Sequence, residues 1–329
     1  MPTLSVSSAA LFGTIVLSFL WLDLHTHKGD PTVTAGSALK WSLLWMSLSL
    51  LFCGYLGMRY GSDKAWLFLT GYVLEQSLSV DNLFVFIAIF GSFALRDAHQ
   101  HRVLYYGILG AIVLRFLFIG AGISLVFAGR MSETLHTAVF ASFGLVVLWS
   151  GYQMYRALGS DSSEREDYTD HWSVRLTRRA FPIHPRLEGR AFFVREGGRL
   201  KATPLFLCLV TVEASDLAFA FDSVPAVIAV TREPFLVYSS NIFAILGLRS
   251  LYFLLAAARK YLCHLEKAVV AILAFVGCKL LIEAFQTPIA RLLGRPLEIS
   301  AGASLTVVLI VLTGGVAASI LFPEREGRE

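Results

Sequence analysis

The chain has 329 residues, 56% hydrophobic and only 16% charged, with a mean hydropathy of +0.64. Soluble domains carry charge on about a quarter of their residues, so this composition excludes an ordinary soluble fold, and with 25 Phe and 26 Gly it also excludes disorder and a reader of nucleic-acid bases. The formal charge of +4 reports how Lys and Arg distribute across a bilayer and requires no anionic partner.

A spanning helix needs about 20 apolar residues. Such windows fall, in chain order, at 4–22, 38–57, 65–93, 103–128, 135–155, 203–223, 235–257, 264–285 and 300–321, which predicts an all-α polytopic transmembrane bundle of nine spans. The first window has no Lys or Arg in residues 1–8 and no small-residue cleavage site before Asp23, so it reads as a span rather than a signal peptide. Nine spans put the termini on opposite sides. With the N-terminus outside, the inner segments hold Lys28, Lys40, Arg96, Arg102, the basic residues from Arg156 to Lys201, Arg259, Lys260, Lys267, Arg325 and Arg328. The outer ones hold only Arg59, Lys64, Arg130, Arg232, Arg291 and Arg295. The positive-inside rule therefore predicts N-out, C-in.

The expected organisation is an N-terminal pair of spans (1–57), a first membrane repeat (58–155), a cytoplasmic loop (156–202), a second repeat (203–290) and a C-terminal span and tail (291–329). Within the loop, residues 192–200 read as two short strands around Gly197-Gly198. A shift of about 135 residues aligns Val80-Asp81-Asn82-Leu83-Phe84 with Ser215-Asp216-Leu217-Ala218-Phe219, and Arg115 with Arg249. Because the shift carries the third span onto the sixth, the copies cross in opposite senses, an inverted repeat of the kind found in secondary transporters. Cys53, Cys208, Cys263 and Cys278 stand alone in or beside apolar stretches and read as small hydrophobes.

The chemistry concentrates in two spans. The third carries Glu75, Gln76, Ser77, Ser79, Asp81 and Asn82, and the sixth carries Glu213, Ser215, Asp216, Asp222 and Ser223. Five carboxylates at membrane depth oppose insertion by on the order of 12–18 kcal/mol unless something compensates. Arg115, Arg249 and Lys279, the cations within predicted spans, are too few to neutralise them, although salt bridges or protonated carboxyls are what a purely structural account offers. Carboxylate, hydroxyl and amide oxygens without a thiolate or a converging His form a hard-ion shell suited to Mg²⁺, Ca²⁺ or Mn²⁺. The expected metal ligands are Glu75, Asp81, Asn82, Glu213, Asp216 and Asp222. Ser79, Ser215, Ser223 and Asn241 support them, with Arg115 and Arg249 as counter-charges for the metal-free site.

Glu75 and Asn82 share a helix face, as do Glu213 and Asp216, whereas Asp81 and Asp222 point away on a straight helix. Convergence of all five carboxylates demands a break. Pro225 removes the donor to the Phe221 carbonyl and predicts a kinked or unwound turn at residues 222–224. The third span lacks Pro. Tilting, unwinding near residues 79–81, and use of Glu75 and Asp81 at different stages all stay open for it. Lys279 and Glu283, four apart, predict an intrahelical pair.

Glu75-Gln76-Ser77-Leu78-Ser79-Val80-Asp81-Asn82, Glu213-Ala214-Ser215-Asp216, Asp222-Ser223-Val224-Pro225 and the stretch from Ser240 to Arg249 resemble the TerC family of integral membrane proteins, within the lysine-exporter-like superfamily. The likeness runs from about Ala38 to Phe285 and includes Phe192-Phe193-Val194-Arg195. It implies a polytopic bacterial inner-membrane protein linked to manganese homeostasis, usually as an exporter, and historically named for tellurite resistance. Gln76 stands where the family has Lys.

The residues and the resemblance together lead to the expectation of a secondary exporter of Mn²⁺ or a similar hard divalent cation. No nucleotide motif appears, so protons or Na⁺ would couple transport. No cofactor is expected, and no Ser/His or HExxH arrangement suggests an enzyme. The alternatives are an accessory membrane protein that works with insertion machinery or delivers metal to exported proteins, and an exporter of another small solute such as an amino acid.

Overall fold

The computed structural model describes residues 8, 10–18, 35–129, 131–158, 168–258, 264–295, 297 and 299–322; the side chain of Asp81 lies outside the described residues. Eleven helices are named in chain order: α1 (Ala35–Tyr60), α2 (Ser62–Ser92), α3 (Asp97–Gly129), α4 (Glu133–Leu158), α5 (Trp172–Ala180), α6 (Pro204–Val230), α7 (Pro234–Leu246), α8 (Leu248–Ala258), α9 (Leu265–Ala284), α10 (Gln286–Leu293) and α11 (Ala301–Leu321). Six of them are long and apolar enough to cross a membrane. The pairs α7–α8 and α9–α10, bent by 46° and 77°, raise the count among the described residues to eight if each pair is one span. The chain is therefore an all-α polytopic membrane bundle, with a helix or bent helix pair at every predicted span from the second to the ninth. The described part of the first, residues 8 and 10–18, is helical, and its Phe12 ring packs on Phe52, Phe235 and Phe243.

One expectation about a backbone break is corrected, and one of the alternatives open for the third span is removed. α6 runs as an unbroken helix through the buried Pro225. Loss of a single Phe221 carbonyl partner is tolerated in a helix whose other backbone groups stay paired. The break falls instead at Gly247, between α7 and α8, at the residue of lowest helix propensity after Pro. α2 is likewise continuous over 31 residues, so no unwinding occurs near Ser79.

The loop behaves as read at its hairpin and exceeds the reading elsewhere. β1 (Phe193–Glu196) pairs antiparallel with β2 (Arg199–Ala202), and Gly197 and Gly198 at φ 60° and 78° make the turn. Both sit in the left-handed region that glycine enters without strain. Lys201 donates to Glu196 across the turn at 2.8 Å, and this bond holds the Glu196 carboxyl below its usual range. The short helix α5, which the sequence reading left unassigned, docks Ser173, Val174 and Thr177 against α6. Ser173 Oγ meets Thr211 Oγ1 at 3.1 Å.

Three apolar clusters fill the bundle. One joins Leu74, Leu78, Ile119, Ala220 and Val276 across α2, α3, α6 and α9. A second joins Leu83, Phe86, Leu104, Val212 and Leu248. A third is aromatic, around Phe12, Phe52, Phe68 and Phe243. On α3 and α6 the first two clusters leave a gap at residues 107–115 and 213–216, and on α2 the buried polar residues Glu75, Ser79 and Asn82 alternate with Leu74, Leu78 and Leu83 of those clusters.

Candidate functional site

The centre of this polar layer is Arg115 on α3, 1% exposed. Its Nε and Nη2 donate to the two carboxylate oxygens of Asp216 on α6, at 3.0 and 2.8 Å. Its Nη1 donates to Glu75 Oε1 on α2. The fork onto Asp216 is the bidentate geometry for which a planar guanidinium is built. Three helices thus meet on one buried cation. Removing one partner from such a set costs about 3–5 kcal/mol, because the remaining charges stay desolvated. Arg115 thus pairs with two of the five predicted carboxylates, an arrangement that a purely structural salt bridge and a counter-charge share.

Bonding in the layer is incomplete. Glu75, Ser79 and Asn82 lie on one face of α2 at spacings of four and seven, and all three are buried. Among the described residues, Glu75 Oε2, Gln76 Oε1, Ser79 Oγ and Asn82 Nδ2 nevertheless have no hydrogen-bond partner, nor do Glu213 Oε2, Ser223 Oγ and both side-chain polar atoms of Asn241. Asn241 is 1% exposed and lies one turn beyond Val237, which packs with Leu74, Leu78 and Ile119, so its amide shares the face that looks into the bundle. A buried polar atom without a partner costs about 1–3 kcal/mol. A protein concentrates such costs where a ligand or ordered water repays them.

Glu213 sits beside this cluster in a seat cut into α3. A Cβ at Gly110 would stand 2.0 Å from Glu213 Oε1, whereas one at Gly107 would make only ordinary contacts, 3.5 Å to Val212 and 4.0 Å to the carboxylate. Only a residue without a side chain at position 110 lets the carboxylate lie there. Glu213 and Asp216 together face a slot walled by Phe86, Leu104, Ile108, Ala111 and Leu248, with about 10 Å³ of room for the centre of a water-sized sphere. That is the space of one water or one small ion. With all three ionised, Glu75, Asp216 and Glu213 carry two more negative charges than Arg115 offsets, the charge of one divalent cation.

The remaining predicted residues are distributed differently. Asp222 is partly buried and leaves an unbroken α6 on a different face from Glu213 and Asp216, yet its carboxyl lies within electrostatic reach of Arg115. Ser215 and Ser223 are buried on the same helix. Arg249, buried near the start of α8, is engaged in contacts of its own. Among the described residues, no group of three or more His, Cys, Asp or Glu is arranged to hold a metal; Arg115 lies between Glu75 and Asp216 and bonds both.

Some contacts were not legible from spacing. Lys279 donates to Ser304 Oγ on α11 at 2.8 Å, while Glu283 pairs with Arg232 at 2.5 Å, so the closest partners of both lie off the helix, and the expected Lys279–Glu283 interaction persists only as a longer-range attraction. Arg232 also lies 4.8 Å from the Phe140 ring centroid, and its neighbour Glu233 pairs with Lys64 at the start of α2. Arg232, Glu233, Lys279 and Glu283 line a vestibule of about 520 Å³ between the ends of α6 and α9. The seat at Gly110 was equally hidden. Its one sequence signal is a glycine five residues before a mid-span arginine.

A family model described as "Integral membrane protein TerC family" matches residues 60–326. The "Tellurium resistance protein TerC" of Serratia marcescens is 43% identical over 340 residues, covering 97% of this chain and 95% of that protein. The "Uncharacterized membrane protein STKORF319" of Myxococcus xanthus is 39% identical, covering 96% and 94%. The "Putative membrane-bound redox modulator Alx" of Escherichia coli K12 is 40% identical, covering 86% and 88%. No solved structure matches.

Proposed function

The chain belongs to the TerC family of integral membrane proteins, and from that premise we propose that it is a secondary exporter of Mn²⁺ or a similar hard divalent cation, set in the bacterial inner membrane with its N-terminus outside. The observation that carries this reading is the buried Arg115 shared between Glu75 and Asp216 of two different helices, with unbonded oxygens around it. In the metal-free state the guanidinium supplies the positive charge. A divalent ion entering the slot beside Glu213 and Asp216 competes for the same carboxylates, and Arg115 yields part of its bonding to it. The ligands are hard oxygens, the set that Mn²⁺, Mg²⁺ and Ca²⁺ prefer.

Proton coupling follows from the same residues, since carboxylates that hold metal release it as they take up protons. In this scheme the two halves form an inverted repeat around the site. The names of two relatives speak of tellurium resistance and of redox modulation. An excess of buried carboxylate repels an oxyanion, so direct tellurite transport does not suit this layer.

The test is a flux assay. Purified protein in proteoliposomes loaded with a pH-sensitive dye should move Mn²⁺ with an opposing change in lumenal pH, and Glu213→Gln should reduce the protons moved per metal. A Mn²⁺ flux that ignores a proton uncoupler and vanishes without Na⁺ would reassign the coupling ion. No flux of any divalent cation from folded protein would overturn transport.

A further inference from the structure

We propose that the outward face of α5 is a binding surface for anionic phospholipid. One side of this nine-residue helix is committed to the protein, with Ser173, Val174 and Thr177 buried against α6. The other side presents Trp172 and Leu176, 53% and 59% exposed, one turn apart on a single stripe. Arg175, Arg178 and Arg179 flank that stripe, all exposed, and among the described residues none has a carboxylate within ion-pair distance.

The level of the helix selects lipid over a soluble acidic partner. Ser173 meets Thr211, seven residues after α6 begins at Pro204, or roughly 10 Å along that helix. α6 has 27 residues and a length of roughly 40 Å against a hydrocarbon core of about 30 Å. Centred in a bilayer, it places Thr211 about 5 Å to the acyl-chain side of the headgroup boundary, a depth at which interfacial helices lie. At that depth an indole and a leucine side chain are buried in the interface, while arginines reach the phosphates. A phosphatidylglycerol or similar headgroup supplies the charge they lack, with each arginine favouring an anionic surface by on the order of fivefold.

The test uses the full chain in phosphatidylcholine vesicles doped with either brominated phosphatidylglycerol or the same fraction of brominated phosphatidylcholine, with the Trp172 signal isolated by subtracting the Trp172→Phe variant. Quenching by the anionic lipid should exceed quenching by the zwitterionic one by about twofold or more. Replacing Arg175, Arg178 and Arg179 together by Gln should bring the two to equality. Equal quenching in the unaltered chain would overturn the anionic preference. The absence of quenching by either lipid would place α5 off the membrane, leaving its face to solvent or to a protein, and would overturn the proposal entirely.

Discussion

Two interfaces in this bundle hold helices together with opposite materials. Between α4 and α9 the contact is apolar and close, and glycines make the approach possible. A Cβ at Gly277 would stand 2.6 Å from Leu148, and one at Gly144 would stand 2.9 Å from Leu281 and 3.1 Å from the Gly277 carbonyl. Lipid tails are as apolar as Leu, so this kind of small-residue packing is how helices associate without charge. Between α2, α3 and α6 the contact runs through Arg115, Glu75 and Asp216, with unbonded oxygens beside them. The first interface shows that this chain can fasten helices without ionised groups. The charges in the second therefore need another explanation, and cation binding supplies one.

The largest effect expected from breaking that contrast is at Arg115. Arg115→Gln leaves Glu75 and Asp216 buried with no cation between them, at a cost of about 3–5 kcal/mol. Thermal unfolding in detergent should show a large fall in Tm, and added Mn²⁺ should restore more of it than in the unaltered chain. A fall that no divalent cation reverses would make the arginine structural only.

A matched substitution in the apolar interface should behave in the opposite way. Gly277→Val forces its side chain against Leu148 and costs about 1–3 kcal/mol by overpacking. Tm should drop while Mn²⁺ affinity in the surviving folded fraction stays unchanged. A parallel loss of metal affinity would mean that the two interfaces are coupled.

The seat at Gly110 sharpens the comparison from the binding side. Ala is a better helix former than Gly, so Gly110→Ala should leave Tm nearly unchanged, yet displace the Glu213 carboxylate and weaken Mn²⁺ binding about tenfold, or roughly 1.4 kcal/mol. Adding Glu213→Asp, one methylene shorter, should return part of the affinity. Gly107→Ala should bind nearly as the unaltered chain does. Equal damage from both alanines would point to general crowding between α3 and α6.

The smallest effect belongs to the outer rim. Lys64 and Glu233 are partly exposed, 18% and 34% as side chains, and Lys64→Gln should cost no more than about 1 kcal/mol of unfolding free energy in a denaturant titration. A larger loss would show that the rim, too, is a structural charge network.

How far these regions were legible in the sequence follows from what periodicity encodes. Runs of apolar residues report membrane depth directly, so the spans from the second to the ninth were readable with ends displaced by up to seven residues, and Gly197-Gly198 reported the hairpin because glycine fits two φ values above zero. That Arg115 pairs with buried carboxylates was readable because a mid-span cation has few other uses. Partner choice was not readable. Lys279 and Glu283 share a helix face, yet each finds a better partner on another element, Ser304 and Arg232, and spacing along one helix carries no information about its neighbours. Pro225 predicted a break, yet the helix runs through it, and the bend falls at Gly247 instead. α5 was hidden because nine residues with three arginines read as loop until α6 provides the surface that buries Ser173, Val174 and Thr177.

Equilibrium dialysis of purified, folded protein against Mn²⁺ tests the central claim most directly, with Asp216→Asn and Glu213→Gln measured beside the unaltered chain. The account predicts one ion per chain, weakened about tenfold or more by each substitution. Unchanged affinity in both variants, or no binding by the unaltered chain, would contradict it.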